Sequence, residues 1–281
     1  MLISLSTHLF VFRELDESIA SLFYRHGFAH AEIWAVPPHF PFRDEKEAAR
    51  VHDLLRRNGV SLASLHAPLY PDVRTYRKDR WYSLSSREDE HRKRSVDATA
   101  DAGAWLGRNG GGTVVLHTNF PAESWYPHRW GAFLSSLNEL LERVPENVRF
   151  AVENTPLASG EIDVILDIVH RYPPERVGVC LDLGHANIRE NTMNALRAAA
   201  DRLIHVHAHD NYGAQDDHLV PGKGSIDWKR VFATLAEIRF SGAFTVELSD
   251  QTRGEDAPYG SFDEMLAECR AALDRFGDGA R

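Results

Sequence analysis

Short apolar runs of β-type residues alternate with amphipathic helical patterns along the whole chain. Alternation of this kind indicates βαβ units and a parallel sheet. The eight candidate strands are Leu2 to Ser6, Ala29 to Trp34, Ser61 to His66, Thr113 to His117, Arg149 to Glu153, Val177 to Asp182, Leu203 to His207 and Ala243 to Leu248. Eight strand-helix units predict a closed (β/α)8 barrel of the α/β class, and 281 residues suit one such domain over residues 1–281.

The stretches between the runs carry helix start and stop signals. In DEKEAARVHDLLRRNG, Asp44 is expected to cap the N-terminus of a helix and Gly59 to end it. The connection from Pro68 to Arg94 is unusually long. It is either a lid over a substrate site, since loops on that face of a barrel carry function, or the solvated start of a helix.

Composition narrows the classes of protein. Hydrophobic residues make up 43% and charged residues 26%, as in ordinary globular proteins. No apolar run approaches the roughly 18 residues that span a bilayer, and the N-terminus lacks a signal-peptide pattern, so we expect a cytoplasmic protein without a membrane partner. A net charge of −9 disfavours a broad nucleic-acid surface, although a local basic patch stays open. The two cysteines, Cys180 and Cys269, are expected to be reduced.

Metal-competent side chains lie at or near the ends of six of the eight runs. They are His66, His117, Glu153, Asp182 with His185, His207, and Glu247. In a barrel the strand ends meet at one mouth, so these residues become neighbours. Burying several carboxylates and imidazoles costs several kcal/mol each unless they pair or ligate a cation. The pattern therefore predicts a divalent metal site, and donors of this kind without a thiolate suit Zn, Mn, Fe or Co.

Three histidines alternate along the seventh run, so that all three face the same side. We choose His207 as the metal ligand, His205 as a deeper group and His209 as a contact to substrate or to the ligands. The loop that follows contains Asp216 and His218, which are either further ligands or solvated residues of a polar turn. Its PGKG segment lacks the spacing of a phosphate-binding motif. The expected substrate contacts are His66, His185, His209 and Lys223.

Several other residues near the strand ends have two interpretations. His8 and Glu32 either contact substrate or pair with each other. A set of aromatic residues either stacks on a sugar at the mouth or packs in the core; they are Trp34, Phe40, Trp81, Trp125 and Tyr126.

The segments FAVENTP, VGVCLDLGHAN, LIHVHAHDNYGAQDDHLVPGKGSIDW and FTVEL resemble the xylose isomerase-like TIM-barrel superfamily, over essentially the whole chain. This superfamily contains sugar phosphate isomerases and epimerases and the endonuclease IV group. The resemblance to its ketose epimerases implies one divalent ion held by Glu153, Asp182, His207 and Glu247. It also implies that the two glutamates transfer protons on opposite faces of a sugar carbon through a metal-stabilised enediolate, with His185 in contact with substrate.

The endonuclease IV group implies a larger ligand set, with up to three zinc ions that hydrolyse abasic DNA. Its additional positions match His66, His117, His185, Asp216 and His218. The chain departs from that group in HAPLYPD and in LDLGH, which replaces a CIDTCH-type motif.

We therefore favour a metal-dependent isomerase or epimerase of a small sugar, keto-sugar or polyol, with a multinuclear site left open. The alternatives are a dehydratase of the inosose dehydratase type, an endonuclease IV-like phosphodiesterase, and a non-catalytic barrel that binds a sugar or a partner protein. A small carbohydrate is the expected partner, nucleic acid is disfavoured, and a homo-oligomer is common in the family that the chain resembles.

Overall fold

Eight parallel strands close into a barrel in the order in which they occur in the chain, and β1 pairs with β8 to complete it. The computed structural model describes residues 1–75, 81–118, 127–157, 160–189 and 191–277. The strands are β1 Leu2–Ser6, β2 His30–Trp34, β3 Ser61–His66, β4 Gly112–His117, β5 Val148–Glu153, β6 Val177–Asp182, β7 Leu203–Ala208 and β8 Ala243–Val246. The predicted (β/α)8 barrel is confirmed; that residues 1–281 form one domain stays a prediction.

Helices surround the barrel. Within the described residues they are α1 Glu17–Arg25, α2 Glu45–Arg57, α3 Asp89–Arg108, α4 Pro127–Arg143, α5 Ile162–Val169, α6 Leu183–Arg189, α7 Thr192–Ala199, α8 Trp228–Glu237 and α9 Phe262–Gly277. The side chain of Asp44 caps α2 by accepting hydrogen bonds from the backbone N–H groups of Lys46 and Glu47. Gly59 follows the last turn with a φ of 73°, a left-handed conformation that favours glycine. Both predicted helix signals are therefore confirmed.

The two-residue period of the strands separates an apolar layer from a polar interior. In β7, Val206 belongs to the large hydrophobic core, whereas His205 and His207 contact Glu32 of β2 across the barrel. No helix among the described residues has the length and apolar character needed to cross a membrane.

The long connection after β3 contains both a packed segment and a helix start. Leu69, Tyr70, Val73 and Trp81 pack with Trp34 in a small apolar cluster, and α3 begins at Asp89. Residues 76–80 lie outside the described part of the connection, so the expected lid stays a prediction.

Candidate metal centre

The ends of β5, β6, β7 and β8 bring four acidic and imidazole side chains together. They are Glu153, Asp182, His207 and Glu247, hereafter the central group. Each is at most 3% exposed, and each offers a ligand atom within 4.8 Å of the others. This is the set that the family resemblance implies, and its role as a ligand set is taken up below as a proposal.

Local hydrogen bonds orient Asp182 within the central group. Its Oδ1 accepts a 2.7 Å hydrogen bond from the backbone N–H of His185 at the start of α6, while Oδ2 has no hydrogen-bond partner among the described residues. Asn154, which follows Glu153 in the VEN segment, donates to the backbone carbonyl of Asp182 and accepts from its N–H. The asparagine therefore ties the ends of β5 and β6 together.

The buried atoms of the central group fit a divalent cation. Neither ring nitrogen of His207 makes a hydrogen bond of good geometry within the described structure. Its Nδ1 nevertheless lies 3.3 Å from Oε1 of Glu153 and 3.6 Å from Oε2 of Glu247. Buried polar atoms without partners are costly, and a cation placed among these atoms would satisfy them together. One imidazole and three carboxylates without a thiolate suit Zn²⁺, Mn²⁺ or Co²⁺.

A second group adjoins the first through Glu153. His117 Nε2 lies 3.1 Å from Oε2 of Glu153 and 3.2 Å from Nε2 of His66. Because Oε1 of Glu153 faces His207, this carboxylate presents one oxygen to each group.

A third group lies where the loop after β7 meets α6. It consists of His185, His209, Asp216 and His218. The Nδ1–H of His185 donates to the carbonyl of Asn154, so its Nε2 faces Oδ2 of Asp216 at 3.1 Å. His209 stacks on His218 with 4.0 Å between the ring centroids. Asp216 and His218 are thus held in this group, which disfavours the interpretation of a solvated polar turn.

Asp210 organises the loop that carries Asp216 and His218. Its carboxylate accepts hydrogen bonds from the backbone N–H groups of Gly222 and Ile226 and from the indole N–H of Trp228. Gly224 is required by close packing, because a Cβ there would lie 2.3 Å from the carbonyl oxygen of Asn211. The glycines of the PGKG segment therefore serve a tight loop.

The charges of the three groups complement one another. Burial alone would raise the pKa of Glu153, but His207 and His117 hold it well below the usual range. Burial would lower the pKa of His185, but Asp182 and Asp216 raise it well above the usual range. For His218, Asp216 outweighs burial and raises the pKa to about 9. The carboxylates are therefore held in the ionised form that a cation requires.

A cavity of about 360 Å³ opens above the central group. Glu153, Glu247 and His185 line it together with apolar side chains that include Trp34 and Leu69. This volume falls in the range of small-molecule sites. Both glutamates can therefore contact a bound small molecule as well as a cation.

The four expected substrate contacts are placed differently by the structure. His185 lines the cavity, whereas His66 of the second group and His209 of the third group are buried and are not among the cavity-lining residues that the structure describes. Lys223 forms an ion pair with Glu268 of α9 and likewise is not among them. The spacing in sequence did not show where these side chains would lie.

The structure also distinguishes among the residues near the strand ends that had two interpretations. Trp34 and Trp81 line the cavity, whereas Phe40 is fully buried against Trp105; Trp125 and Tyr126 lie outside the described residues. His8 lines the cavity, and Glu32 contacts His205 and His207 deeper in the barrel.

The sequence analysis did not identify two residues as contacts of Glu247. The hydroxyl of Ser6 and the indole N–H of Trp34 both donate to its Oε1. Each is the last residue of its strand, which is the signal that could have indicated them.

A sequence profile described as xylose isomerase-like TIM barrel matches residues 21–269. An uncharacterized protein of Methanocaldococcus jannaschii is 29% identical over 174 residues, which cover 58% of this chain and 59% of the relative. Fructoselysine 3-epimerase of Escherichia coli O157:H7 is 28% identical over 154 residues, which cover 52% of each chain. The chain thus spans between half and three fifths of the length of these curated relatives.

Solved structures show the same fold. A crystal structure of a D-tagatose 3-epimerase-like protein superposes with a TM-score of 0.80 at 24% identity, over 100% of this chain and 98% of the other. At that identity the likeness bears on the barrel and its topology.

Proposed function

The chain belongs to the xylose isomerase-like TIM-barrel family, and from this premise we propose that it is a divalent-metal-dependent isomerase or epimerase of a small sugar, keto-sugar or polyol. The observation that carries the proposal is the double placement of Glu153 and Glu247. Both belong to the central group and both line the cavity. Distant relatives of the chain are sugar 3-epimerases, which supports the same reaction class.

The residues of the central group would hold the cation, and the two glutamates would transfer protons. A bound divalent cation polarises a substrate carbonyl and stabilises the negative charge that develops on its oxygen. One of Glu153 and Glu247 removes the proton from the carbon beside that carbonyl, and the other returns a proton. The stereochemistry of the substrate decides which glutamate acts first. The carbon to which the proton returns decides between isomerisation and epimerisation.

Neighbouring residues support this proton transfer. Trp34 and Ser6 hold Oε1 of Glu247, so its Oε2 is directed towards His207. His185 lines the cavity next to both glutamates and is placed to contact a bound substrate. The apolar wall formed by Val11, Leu69 and other residues displaces water from the reacting carbon.

The test begins with the metal content of the purified protein, measured by elemental analysis without added chelator. We expect about one Mn, Co, Fe or Zn per chain. The loaded protein is then incubated in D2O with a panel of ketoses and inososes. Deuterium at the carbon beside the carbonyl, with an epimeric or isomeric product, supports the proposal. A protein that binds no divalent cation would refute it. A loaded protein that exchanges no proton in any member of the panel would also refute it.

The same panel separates a dehydratase from an epimerase. If water is lost after proton removal, an inosose yields an unsaturated product and no epimer. That product would assign the lyase alternative to the same two glutamates.

A second candidate function is an endonuclease IV-like phosphodiesterase with several zinc ions. The observation that favours it is the adjacency of the three ligand groups, in which Glu153 presents one oxygen to the second group and one to the central group. The net charge of −9 opposes binding to DNA. Two or three zinc ions per chain together with cleavage of abasic-site DNA would establish this function in place of sugar chemistry.

A further inference from the structure

A fifth carboxylate lies inside the barrel, outside the three ligand groups and away from the cavity. Glu32 of β2 is fully buried, although ionised carboxylates are rarely buried without a partner. It is not one of the residues that line the described cavity. The proton-transfer scheme above does not use it, so its retention in the interior needs another cause.

Glu32 joins two histidines of β7. Its Oε1 lies 3.0 Å from Nε2 of His207, and its Oε2 lies 3.2 Å from Nε2 of His205. The hydroxyl of Ser64 donates to Oε2 of the same carboxylate at 2.8 Å, and the hydroxyl oxygen of Ser6 lies 3.4 Å from its Oε1. Both oxygens therefore have defined partners, and the carboxylate is held in one orientation.

Irregular strand pairing places Ser64 of β3 beside Glu32. Between β2 and β3 the register shifts at Ala31 and Glu32, so that Ala31 pairs with Leu62 but Glu32 pairs with Ser64. Such bulges redirect side chains and are common beside functional sites. A second shift, between Val179 and Cys180, places Cys180 opposite His205.

The contact with His207 has a direction that matters for a cation. Nδ1 of His207 faces Glu153 and Glu247, whereas Nε2 faces Glu32. An imidazole that binds a metal ion through one nitrogen almost always directs its other N–H to a carboxylate, a backbone carbonyl or water. Glu32 is the carboxylate in that position.

We propose that Glu32 is a positioning residue of the metal centre: its carboxylate, 3.0 Å from Nε2 of His207, accepts a hydrogen bond from Nε2–H when Nδ1 binds the cation, and so holds the imidazole in place. The proposal rests on the proposed function, because it requires a cation in the central group. Glu32 acts through His207 and contacts neither substrate nor cation. Loss of the Glu32 carboxylate should therefore weaken cation binding and disturb the bond between the cation and the His207 imidazole.

The test compares Glu32→Gln with the wild-type full chain. Each protein is stripped with a chelator and titrated with Mn²⁺, and free Mn²⁺ is followed by its electron paramagnetic resonance signal. We expect Glu32→Gln to weaken Mn²⁺ binding by about 10- to 100-fold, the usual effect of losing such a partner. Glu146→Gln, which removes an exposed carboxylate beside β5, is the matched control and should bind Mn²⁺ as the wild type does.

A second readout separates positioning from simple charge attraction. Electron spin-echo modulation of bound Mn²⁺ detects the nitrogen of a ligating imidazole, and His207→Gln identifies the contribution of His207. We expect this modulation to be reduced or altered in Glu32→Gln. Weaker binding with an unchanged imidazole signal would show that Glu32 acts by charge alone, and would overturn the proposal. Unchanged affinity would overturn it equally.

Two milder variants keep the test decisive if Glu32→Gln does not fold. Glu32→Asp retains a carboxylate and should bind Mn²⁺ more weakly than the wild type, but by less than the factor expected for Glu32→Gln. Ser64→Ala removes the 2.8 Å donor to Glu32 and should weaken binding by a smaller factor. If both bind Mn²⁺ with wild-type affinity and an unchanged imidazole signal, the proposal is wrong. A wild-type protein that binds no cation would instead refute the proposed function itself.

Discussion

The indole N–H of Trp34 donates a 2.9 Å hydrogen bond to Oε1 of Glu247. Trp34 also stacks on His66, with 4.3 Å between ring centroids and 21° between ring planes. One side chain at the end of β2 therefore contacts both a cavity-lining carboxylate and a residue of the second ligand group. This contact directs the other oxygen of Glu247 towards the central group.

Replacing Trp34 by Phe should lower turnover by about 10- to 100-fold. A hydrogen bond to a buried charged group contributes about 1.5–3 kcal/mol, and Phe keeps the stacked ring while removing the donor. The measurement is the steady-state turnover of the substrate that the panel identifies. Trp105→Phe, which alters a buried tryptophan that packs on Phe40, controls for lost packing. Equal turnover of Trp34→Phe and the wild type would show that this hydrogen bond has no part in catalysis.

Glu153→Gln and Glu247→Gln should each reduce turnover by at least about 100-fold, because an amide can neither remove nor return a proton at neutral pH. Turnover is expressed per bound cation, since both side chains also belong to the central group. Glu146→Gln is again the control. Substantial activity in both variants would eliminate the proposed proton transfer.

His218→Ala tests the number of cations. His218 belongs to the third group and not to the central group. For the single-ion enzyme that we propose, the variant should keep about one cation per chain by elemental analysis. A fall from two or three ions in the wild type to a smaller number would favour the multinuclear candidate.

Asp210→Asn should destabilise the protein by at least about 1.5 kcal/mol, because the Asp210 carboxylate accepts four hydrogen bonds from N–H groups in and around the loop after β7. Urea unfolding measures the change. Asp227→Asn is a matched control, since Asp227 caps α8 and asparagine is an equally good cap. Similar losses in the two variants would contradict the organising role of Asp210.

The free energy of unfolding should decrease as the pH falls, in part because of His39. Burial lowers the pKa of His39 from its ordinary value of 6.5 to about 4. Its Nδ1–H donates to the carbonyl of Arg13, and its Nε2 contacts the hydroxyl of Thr7. Between pH 6.5 and 4 the unfolded chain takes up a proton that the folded chain does not. The contribution of His39 to stability therefore falls by up to about 1.4 kcal/mol per pH unit over that range.

Unfolding by urea at several pH values, with His39→Gln beside the wild type, measures this dependence. The variant should lose less stability on acidification than the wild type does. His170→Gln, in which a half-exposed histidine is replaced, controls for the loss of an imidazole. Parallel curves for the wild type and His39→Gln would contradict the prediction.

The sequence by itself determined the barrel and the ligand candidates. Alternating strand and helix patterns are compatible with few folds. Eight repeats close into a barrel in which the C-terminal ends of all strands face one mouth. That topology alone makes Glu153, Asp182, His207 and Glu247 neighbours, although they are separated by 94 residues of chain from first to last. The helix signals at Asp44 and Gly59 were equally readable, because they depend on contacts within one or two turns.

Only the tertiary structure decided which partner each side chain meets. The contacts of Glu32 with His205 and His207 depend on closure of the barrel, which brings β2 and β7 together, and the placement of Lys223 beside Glu268 depends on the packing of α9. A shift in register or a rotation of a loop changes such contacts without changing the apolar pattern that specifies the strands. Periodicity therefore specifies the elements and their faces, whereas the contacts between polar side chains are set by distances that arise only when the barrel closes.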